Sequence, residues 1–210
     1  MVRHGETDWN TEHRMQGRSD IPLNERGRKQ ASFAAKFLKD TPIDTIYTSP
    51  LSRARETAEI IRGERPIPVI PEEGLLEIDL GAWDGCTPED LDEKFPGAYD
   101  IWRAHPEKAR PEGGETFPAV QERAAAATER IAAENRGKTV LFVSHMGCLS
   151  TVLIRASGKS LDTLWQVPIP NCGLAVLEEE DGIWTVTEWG KADYIPEEYR
   201  LRHPFGRIRD

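Results

Sequence analysis

The chain is poor in the features that would place it in an oxidising compartment or in a membrane. Its only cysteines, Cys86, Cys148 and Cys172, never form a Cys-x-x-Cys pair, so we expect reduced thiols rather than a disulfide framework or a zinc site. No apolar run is long enough to span a bilayer, and no charged-then-apolar leader precedes residue 3. We therefore expect a cytoplasmic protein without a membrane partner.

Basic residues are fewer than acidic ones. The chain has 27 Lys and Arg against 36 Asp and Glu, which gives a formal net charge of −9. Nonspecific nucleic-acid binding needs a broad basic face, so this balance disfavours it. A local basic pocket for a small anion is still compatible with an acidic surface. The candidates for such a pocket are Arg3, Arg14, Arg18, Arg53 and Arg55.

The length of 210 residues suits one good-sized domain, and we expect a single domain over 1–210. Strand-like and helix-like segments alternate along it. After a short first strand, strands are predicted at 43–47, 67–71, 139–144, 173–177 and 184–188, and helices at 24–38, 50–62, 87–95, 117–134 and 148–156. This alternation predicts an α/β fold with an open, mostly parallel sheet, helices on both faces, and a ligand site beyond the carboxyl ends of the strands. Residues 75–116 are predicted to form a small helical insert over that site.

An arginine and a histidine stand side by side ahead of a glycine near the start, as Arg3, His4 and Gly5. Only Met1 and Val2 precede them, so either their strand is a stub or the natural start lies upstream. A histidine can act as nucleophile when one ring nitrogen is unprotonated and the other is held by a hydrogen bond, and an adjacent guanidinium can grip phosphoryl oxygens. We predict that the second ring nitrogen of His4 donates to the carbonyl of Gly5.

Three later segments supply matching groups. Arg53 lies at the start of a helix that follows the strand 43–47, and His145 follows the buried run 140–144. Glu77 lies in an apolar, glycine-rich loop, a setting that suits a proton donor. Phosphoryl transfer mainly requires positioning and positive charge on the phosphoryl oxygens, and two arginines with two histidines can meet that demand.

In this order, the segments resemble those of the histidine phosphatase superfamily, which includes phosphoglycerate mutases and many small phosphatases. The resemblance spans nearly the whole chain. It rests on Arg3-His4-Gly5 as the opening signature, 49–58 as the second arginine segment, Glu77 with 81–85 as the acid loop, 113–115 as a pocket segment and 144–147 as the second histidine segment.

This resemblance implies roles for individual residues. His4 would be the residue that is phosphorylated, Arg3, Arg53 and His145 would clamp the phosphoryl group, and Glu77 would protonate the leaving oxygen. Substrate contacts are implied, in addition, for Asn10 and Glu115.

The resemblance also implies an activity. The insert between Glu77 and Glu115 is compact, whereas the mutases have a longer one, and the acid loop is closer to that of the phosphatases. We expect a phosphomonoesterase that acts on a small phosphorylated metabolite through a phosphohistidine, without a metal or another cofactor. A phosphoglycerate mutase is the alternative. A noncatalytic phospho-ligand-binding module is a third possibility, which the intact His4, Glu77 and His145 disfavour.

Several aromatic residues lack an assigned role in this chemistry. Trp9, Trp83, Trp102 and Phe117 are assigned to packing, although Trp83 or Phe117 could line the far side of the substrate. Many phosphatase relatives carry a histidine after the last strand, and this chain has none at 189–196, so Tyr194 is the candidate replacement.

Overall fold

The structure is a computed structural model that describes residues 1–200, so the last ten residues of the predicted domain lie outside it. Its strands are β1 (Val2–Arg3), β2 (Thr45–Thr48), β3 (Val69–Pro71), β4 (Val140–Ser144), β5 (Leu174–Glu180) and β6 (Ile183–Lys191). They form one sheet in the order β3-β2-β4-β1-β5-β6. The strands from β3 to β1 are parallel, and β5 pairs antiparallel with β1 and β6. The predicted mostly parallel α/β sheet is confirmed.

Most helices begin where the local sequence predicts a start. The α-helices are α1 (Asp8–Thr11), α2 (Glu25–Phe37), α3 (Ser52–Arg62), α4 (Pro88–Lys94), α5 (Ala98–Ala104), α6 (Phe117–Glu134) and α7 (Met146–Ala156). Asn24 caps α2 by accepting from the Gly27 N–H at 2.8 Å, as predicted. Thr87 caps α4 in a capping box with Asp90. Within residues 1–200, no helix is both long and apolar enough to cross a membrane.

The two faces of the sheet carry separate apolar clusters. Side chains alternate along β4, so Leu141 and Val143 face one side while Phe142 faces the other. Helices α2 and α3 cover the first side, and α6, α7 and part of the insert cover the second. Helices therefore lie on both faces, as predicted.

The loop after β1 is held in position by contacts with the end of β4 and with α2. His4 N donates to Ser144 O at 2.9 Å, which ties the end of β1 to the end of β4. On the other side of the loop, Gly5 packs against Gly27 of α2. A Cβ on Gly5 would lie 2.5 Å from Gly27 O, and one on Gly27 would lie 2.1 Å from Glu6 O, so side chains are excluded at both positions.

The predicted insert contains α4 and α5 and is attached to the rest of the molecule through aromatic packing. The ring of Trp102 on α5 lies 4.8 Å from that of Phe117 at the start of α6 and 5.2 Å from that of Trp165. Trp165 belongs to a short 3-10 segment, Leu161–Gln166, that follows α7. The insert is thereby placed beside the carboxyl ends of the parallel strands.

Candidate active site

His4 lies at the carboxyl end of β1 and lines a cavity of about 590 Å³. Its Nδ1 is 2.6 Å from the carbonyl oxygen of Gly5, the partner predicted from the sequence. Because a carbonyl can only accept, Nδ1 carries the proton and Nε2 keeps its lone pair. Burial, together with the charges of Arg53 and Arg3, lowers the pKa of His4 well below its usual value. At neutral pH the ring is therefore uncharged, and the lone pair of Nε2 is available for nucleophilic chemistry.

His145 lies at the carboxyl end of β4, beside His4. The ring centres are 5.1 Å apart, and the rings are tilted by 58°. Its Nε2 is 2.7 Å from Ser49 Oγ, while its buried Nδ1 has no hydrogen-bond partner in the described part of the chain. Burial and the charge of Arg53 lower the pKa of His145 well below its usual value, so this ring is also neutral. It can act as a hydrogen-bond donor without adding a charge.

Arg3 and Arg53 line the same cavity as His4. Carbonyl oxygens fix both guanidinium groups: Arg53 donates to the loop 17–19 at 2.7 and 2.8 Å, and Arg3 donates to Ile169 O at 2.9 Å. The buried Nε of each has no partner among residues 1–200. Burial lowers the pKa of each arginine to about 10, against the opposing charge of Glu77, so both remain charged at neutral pH. Fixed, charged donors of this kind suit a phosphoryl group.

Glu77 also lines the cavity, but its surroundings differ from the apolar setting predicted from the sequence. Its carboxylate accepts three backbone N–H groups, from Ile78 at 2.9 Å and from Gly147 and Cys148 at 3.0 Å each. Gly147 and Cys148 are in the first turn of α7, where N–H groups have no partner within the helix. A Cβ on Gly147 would lie 2.5 Å from Glu77 Oε1, so this glycine allows the carboxylate to dock there.

A neutral histidine shares a cavity with a buried and a half-buried arginine, Arg53 and Arg3, and with a carboxylate, and a second histidine lies beside it. This is the arrangement that the sequence motifs predicted. Residues 1–192 match the sequence profile of the histidine phosphatase superfamily (branch 1). The chain belongs to the histidine phosphatase superfamily.

Relatives of this histidine phosphatase include both phosphatases and mutase-like proteins. It is 34% identical over 181 residues to phosphoserine phosphatase 1 of Hydrogenobacter thermophilus, which covers 86% of each chain. It is 33% identical over 215 residues to phosphoglycerate mutase-like protein 4 of Arabidopsis thaliana, which covers 100% of this chain and 91% of that protein. Among solved structures, Bacillus stearothermophilus YhfR superimposes with a TM-score of 0.90 at 40% identity, over 93% of this chain and 97% of that one. The chain is therefore an enzyme.

Glu115 lies outside the wall of the histidine phosphatase cavity, although the sequence resemblance predicts it as a substrate contact. Its carboxylate pairs with Arg123 and Arg18 at 3.0 Å each and accepts the Asp79 N–H at 3.1 Å. A carboxylate directed at a phosphate would repel it, whereas here its charge is matched by two arginines. These partners tie Glu115 to the acid loop, and a substrate contact by Glu115 stays a prediction.

Asn10 does line the cavity, as predicted. Its Oδ1 accepts from Thr7 N at 3.1 Å and from Asn171 Nδ2 at 3.2 Å, so its amide NH₂ is the group that it can offer to a substrate. Asn171 Nδ2 also donates to His4 O at 3.1 Å. Sequence reasoning missed Asn171, because the Pro-Asn-Cys-Gly stretch that contains it indicates only a turn.

The other three arginines that were candidates for a basic pocket lie in different surroundings. Arg14 lines the cavity. Arg18 is held by Glu115 and by Glu77 O, and Arg55 is exposed on α3. In residues 1–200 no group of three or more His, Cys, Asp or Glu side chains is arranged to hold a metal ion.

The far wall of the cavity is apolar and largely aromatic. Of the residues assigned to packing, Trp9, Trp102 and Phe117 line it, whereas Trp83 is buried. Tyr194 is not a substitute for the missing histidine, because its hydroxyl donates to Cys172 O and its ring stacks on Phe37 at 4.3 Å. The main wall residues are Trp9, Leu80, Tyr99, Trp102, Phe117 and Trp165.

Proposed function

We propose that this enzyme is a phosphomonoesterase that hydrolyses small phosphate esters through a phosphohistidine at His4. The observation that carries the proposal is the 2.6 Å hydrogen bond from His4 Nδ1 to Gly5 O. It leaves Nε2 as the nucleophilic atom, next to the unpaired donors of Arg3 and Arg53. Two fixed positive charges supply the electrostatic stabilisation that phosphoryl transfer requires, so no metal ion is needed.

The reaction takes place in two displacements. The first starts from the protonated acid form of Glu77: His4 Nε2 attacks phosphorus, the P–O bond to the alcohol breaks, and Glu77 gives its proton to the leaving oxygen. In the second, water attacks the phosphohistidine and passes a proton to Glu77, the N–P bond breaks, and inorganic phosphate leaves. His145 donates a hydrogen bond from Nδ1 to a phosphoryl oxygen in both steps.

Relatives with both activities leave a second candidate. A chain 33% identical to a phosphoglycerate mutase-like protein could instead pass the phosphoryl group to a second hydroxyl of the substrate. The similarity to phosphoserine phosphatase 1 over 86% of the chain supports water as the acceptor. We further propose that the helical insert at 75–116 acts as a cap over the cavity.

The proposed function is tested by phosphate release in EDTA. The wild type is expected to release inorganic phosphate from 4-nitrophenyl phosphate and, after rapid acid quench, to retain an acid-labile phosphoryl group on His4. The substitution His4→Ala removes the nucleophile and should lower kcat by about a thousandfold or more. The matched control is His105→Ala, which changes an exposed histidine.

Three outcomes would contradict parts of this proposal. Unchanged turnover in His4→Ala would exclude the phosphohistidine, and activity that is lost in EDTA and restored by a divalent cation would exclude metal independence. Isomerisation of 3-phosphoglycerate that requires a bisphosphate primer and releases no phosphate would assign the mutase reaction instead.

A further inference from the structure

The two ends of the active-site cavity have opposite chemistry. At one end lie His4, Arg3 and Arg53, which suit a phosphoryl group. At the other end the wall is built from aromatic side chains that come from α1, from the insert, from the start of α6 and from the segment after α7. The phosphoryl group fills only the first end, so the alcohol part of the ester must occupy the second.

The aromatic end offers rings rather than polar groups. The accessible aromatic surface belongs to the half-buried Trp9, Tyr99 and Trp165. Behind it lie Trp102 and Phe117, which are 6% and 1% exposed and whose ring centres are 4.8 Å apart. The ring of Trp165 lies 5.2 Å from that of Trp102 and 5.8 Å from that of Phe117. The indole N–H of Trp165 donates to Trp102 O at 2.6 Å, so this donor is used within the wall. Such a surface stabilises an apolar group that leaves water.

Beyond Arg3, Arg53 and His4, the basic side chains that a second anionic group on the substrate could meet are Arg14 and the exposed His13. Among the described residues that line the cavity, the only arginine besides Arg3 and Arg53 is Arg14. Its Nε donates to Glu12 at 2.8 Å, its Nη1 donates to Gly85 O at 2.9 Å, and Asp90 lies 3.8 Å from it. Glu12 and Glu89 also line the cavity, so carboxylates offset this arginine. A carboxylate on the substrate would lose water without gaining a matching charge.

From these contacts we infer that the preferred substrates are monoesters of uncharged alcohols that carry an aromatic ring system. Esters that bear a second acidic group, such as 3-phosphoglycerate and phosphoserine, should be poorer substrates. This inference rests on the proposed phosphomonoesterase function and adds a substrate class to it.

The test compares esters that differ in the alcohol but not in its leaving ability. The panel is 1-naphthylmethyl phosphate, phosphoserine and 3-phosphoglycerate, because each releases a primary alcohol and differences in kcat/KM then reflect recognition. We expect kcat/KM for the naphthylmethyl ester to exceed that for each acidic ester by about tenfold or more, since burying an aromatic ring stabilises a complex by at least that factor.

Two variants assign the preference to the wall. Trp165→Leu should lower the ratio of kcat/KM values, naphthylmethyl ester over 3-phosphoglycerate, by about fivefold. Glu89→Lys should lower the same ratio by about threefold, because it replaces an exposed rim carboxylate with a cation and improves turnover of the acidic ester. The matched controls are Trp184→Leu and Glu64→Lys, which make the same changes away from the cavity and should keep the wild-type ratio.

The outcomes separate this inference from the function on which it rests. An acidic ester that matches or exceeds the naphthylmethyl ester in the wild type would overturn the inference and leave the phosphatase intact. Equal effects of the variants and their controls would also overturn it. Failure of every ester to release phosphate would instead refute the proposed function. If Trp165→Leu does not fold, the wild-type panel and Glu89→Lys still decide.

Discussion

We predict that Ser49 determines which nitrogen of His145 carries the proton. Ser49 Oγ accepts the Leu51 N–H at 3.4 Å, so its own hydrogen is available for His145 Nε2 at 2.7 Å. This arrangement leaves the proton of the neutral ring on Nδ1, the buried nitrogen that has no partner in the described part of the chain. Ser49 is thus a positioning residue that makes His145 a donor towards the phosphoryl group.

We therefore predict that Ser49→Ala lowers kcat by about tenfold to a hundredfold, within the range seen when one donor to a developing charge is lost. The tautomer is the decisive readout. Imidazole ¹⁵N NMR should show His145 protonated on Nδ1 in the wild type and a different tautomer population in the variant. Ser150→Ala removes another buried serine hydroxyl and is the matched control, which should retain full activity. Identical tautomers in wild type and Ser49→Ala would contradict the assignment.

At the scale of elements, helix α6 holds the acid loop through Arg123. Its Nη1 donates to Gly74 O at 3.1 Å and to Leu76 O at 2.8 Å, and its Nη2 donates to Glu77 O at 2.9 Å. Glu115 pairs with the same guanidinium and fixes its orientation. The guanidinium of Arg123 thus has three carbonyl partners and one carboxylate partner, and these contacts attach the acid loop to α6.

Removing the guanidinium of Arg123 should displace Glu77, the proposed proton donor, and leave His4, the proposed nucleophile, in place. We predict that Arg123→Leu lowers kcat for alkyl phosphates by about tenfold or more, but affects 4-nitrophenyl phosphate much less, because only a poor leaving group needs protonation. Glu77→Gln should give the same pattern. Arg136→Leu removes an exposed arginine just beyond the end of the same helix and is the control. Equal losses with both kinds of ester would show that Arg123 supports the fold in general.

Elements were predictable where their signals are local. The bounds of α6 were predicted in full, because Thr116 provides a cap and Pro118 fits the first turn. Helix α1 was missed, since its capping box uses Thr7 and Asn10 within a stretch read as a loop. Strands β5 and β6 are longer than predicted, because their antiparallel pairing continues through exposed residues that have no apolar alternation.

The site was predictable only in part, because many of its contacts join segments that are distant in the sequence. His4 and His145 follow strands that are parallel neighbours, so the topology alone brings them together. Glu115 was assigned to the substrate by the family resemblance, and its ion pair with Arg123 was not predicted because Arg123 lies on another element. The contacts of Trp102 with Trp165 join segments far apart in the chain, and no local pattern indicates them.

At the scale of the whole molecule, the active site makes the fold sensitive to acid. His4 and His145 are both buried, and burial lowers the pKa of each well below 6.5. In the unfolded chain these rings gain a proton near pH 6.5, whereas in the folded chain they stay neutral. The unfolded state therefore binds more protons as the pH falls, and the stability contributed by the neutral rings is present above pH 6.5 and lost below it.

We predict that the free energy of unfolding in urea falls as the pH is lowered from 6.5 to 5, with a contribution of about 1.4 kcal/mol per pH unit from each of these histidines. His145→Gln should make this fall shallower by that amount, whatever its effect on stability at pH 7. His105→Gln, at an exposed position, should keep the wild-type slope. Parallel pH profiles for wild type and His145→Gln would contradict the prediction.

The two ends of the cavity come from different stretches of polypeptide. The cationic end comes from the end of β1 and the start of α3, and the aromatic end comes largely from α5, Phe117 and the segment after α7. Because the two ends come from separate segments, one segment can be exchanged without the other. Exchanging the stretch between the acid loop and α6 for that of another family member should transfer that member's preference among alcohols, while His4, Arg3 and Arg53 keep their positions. Substrate selectivity can therefore be changed in this chain without altering the residues that are proposed to transfer the phosphoryl group.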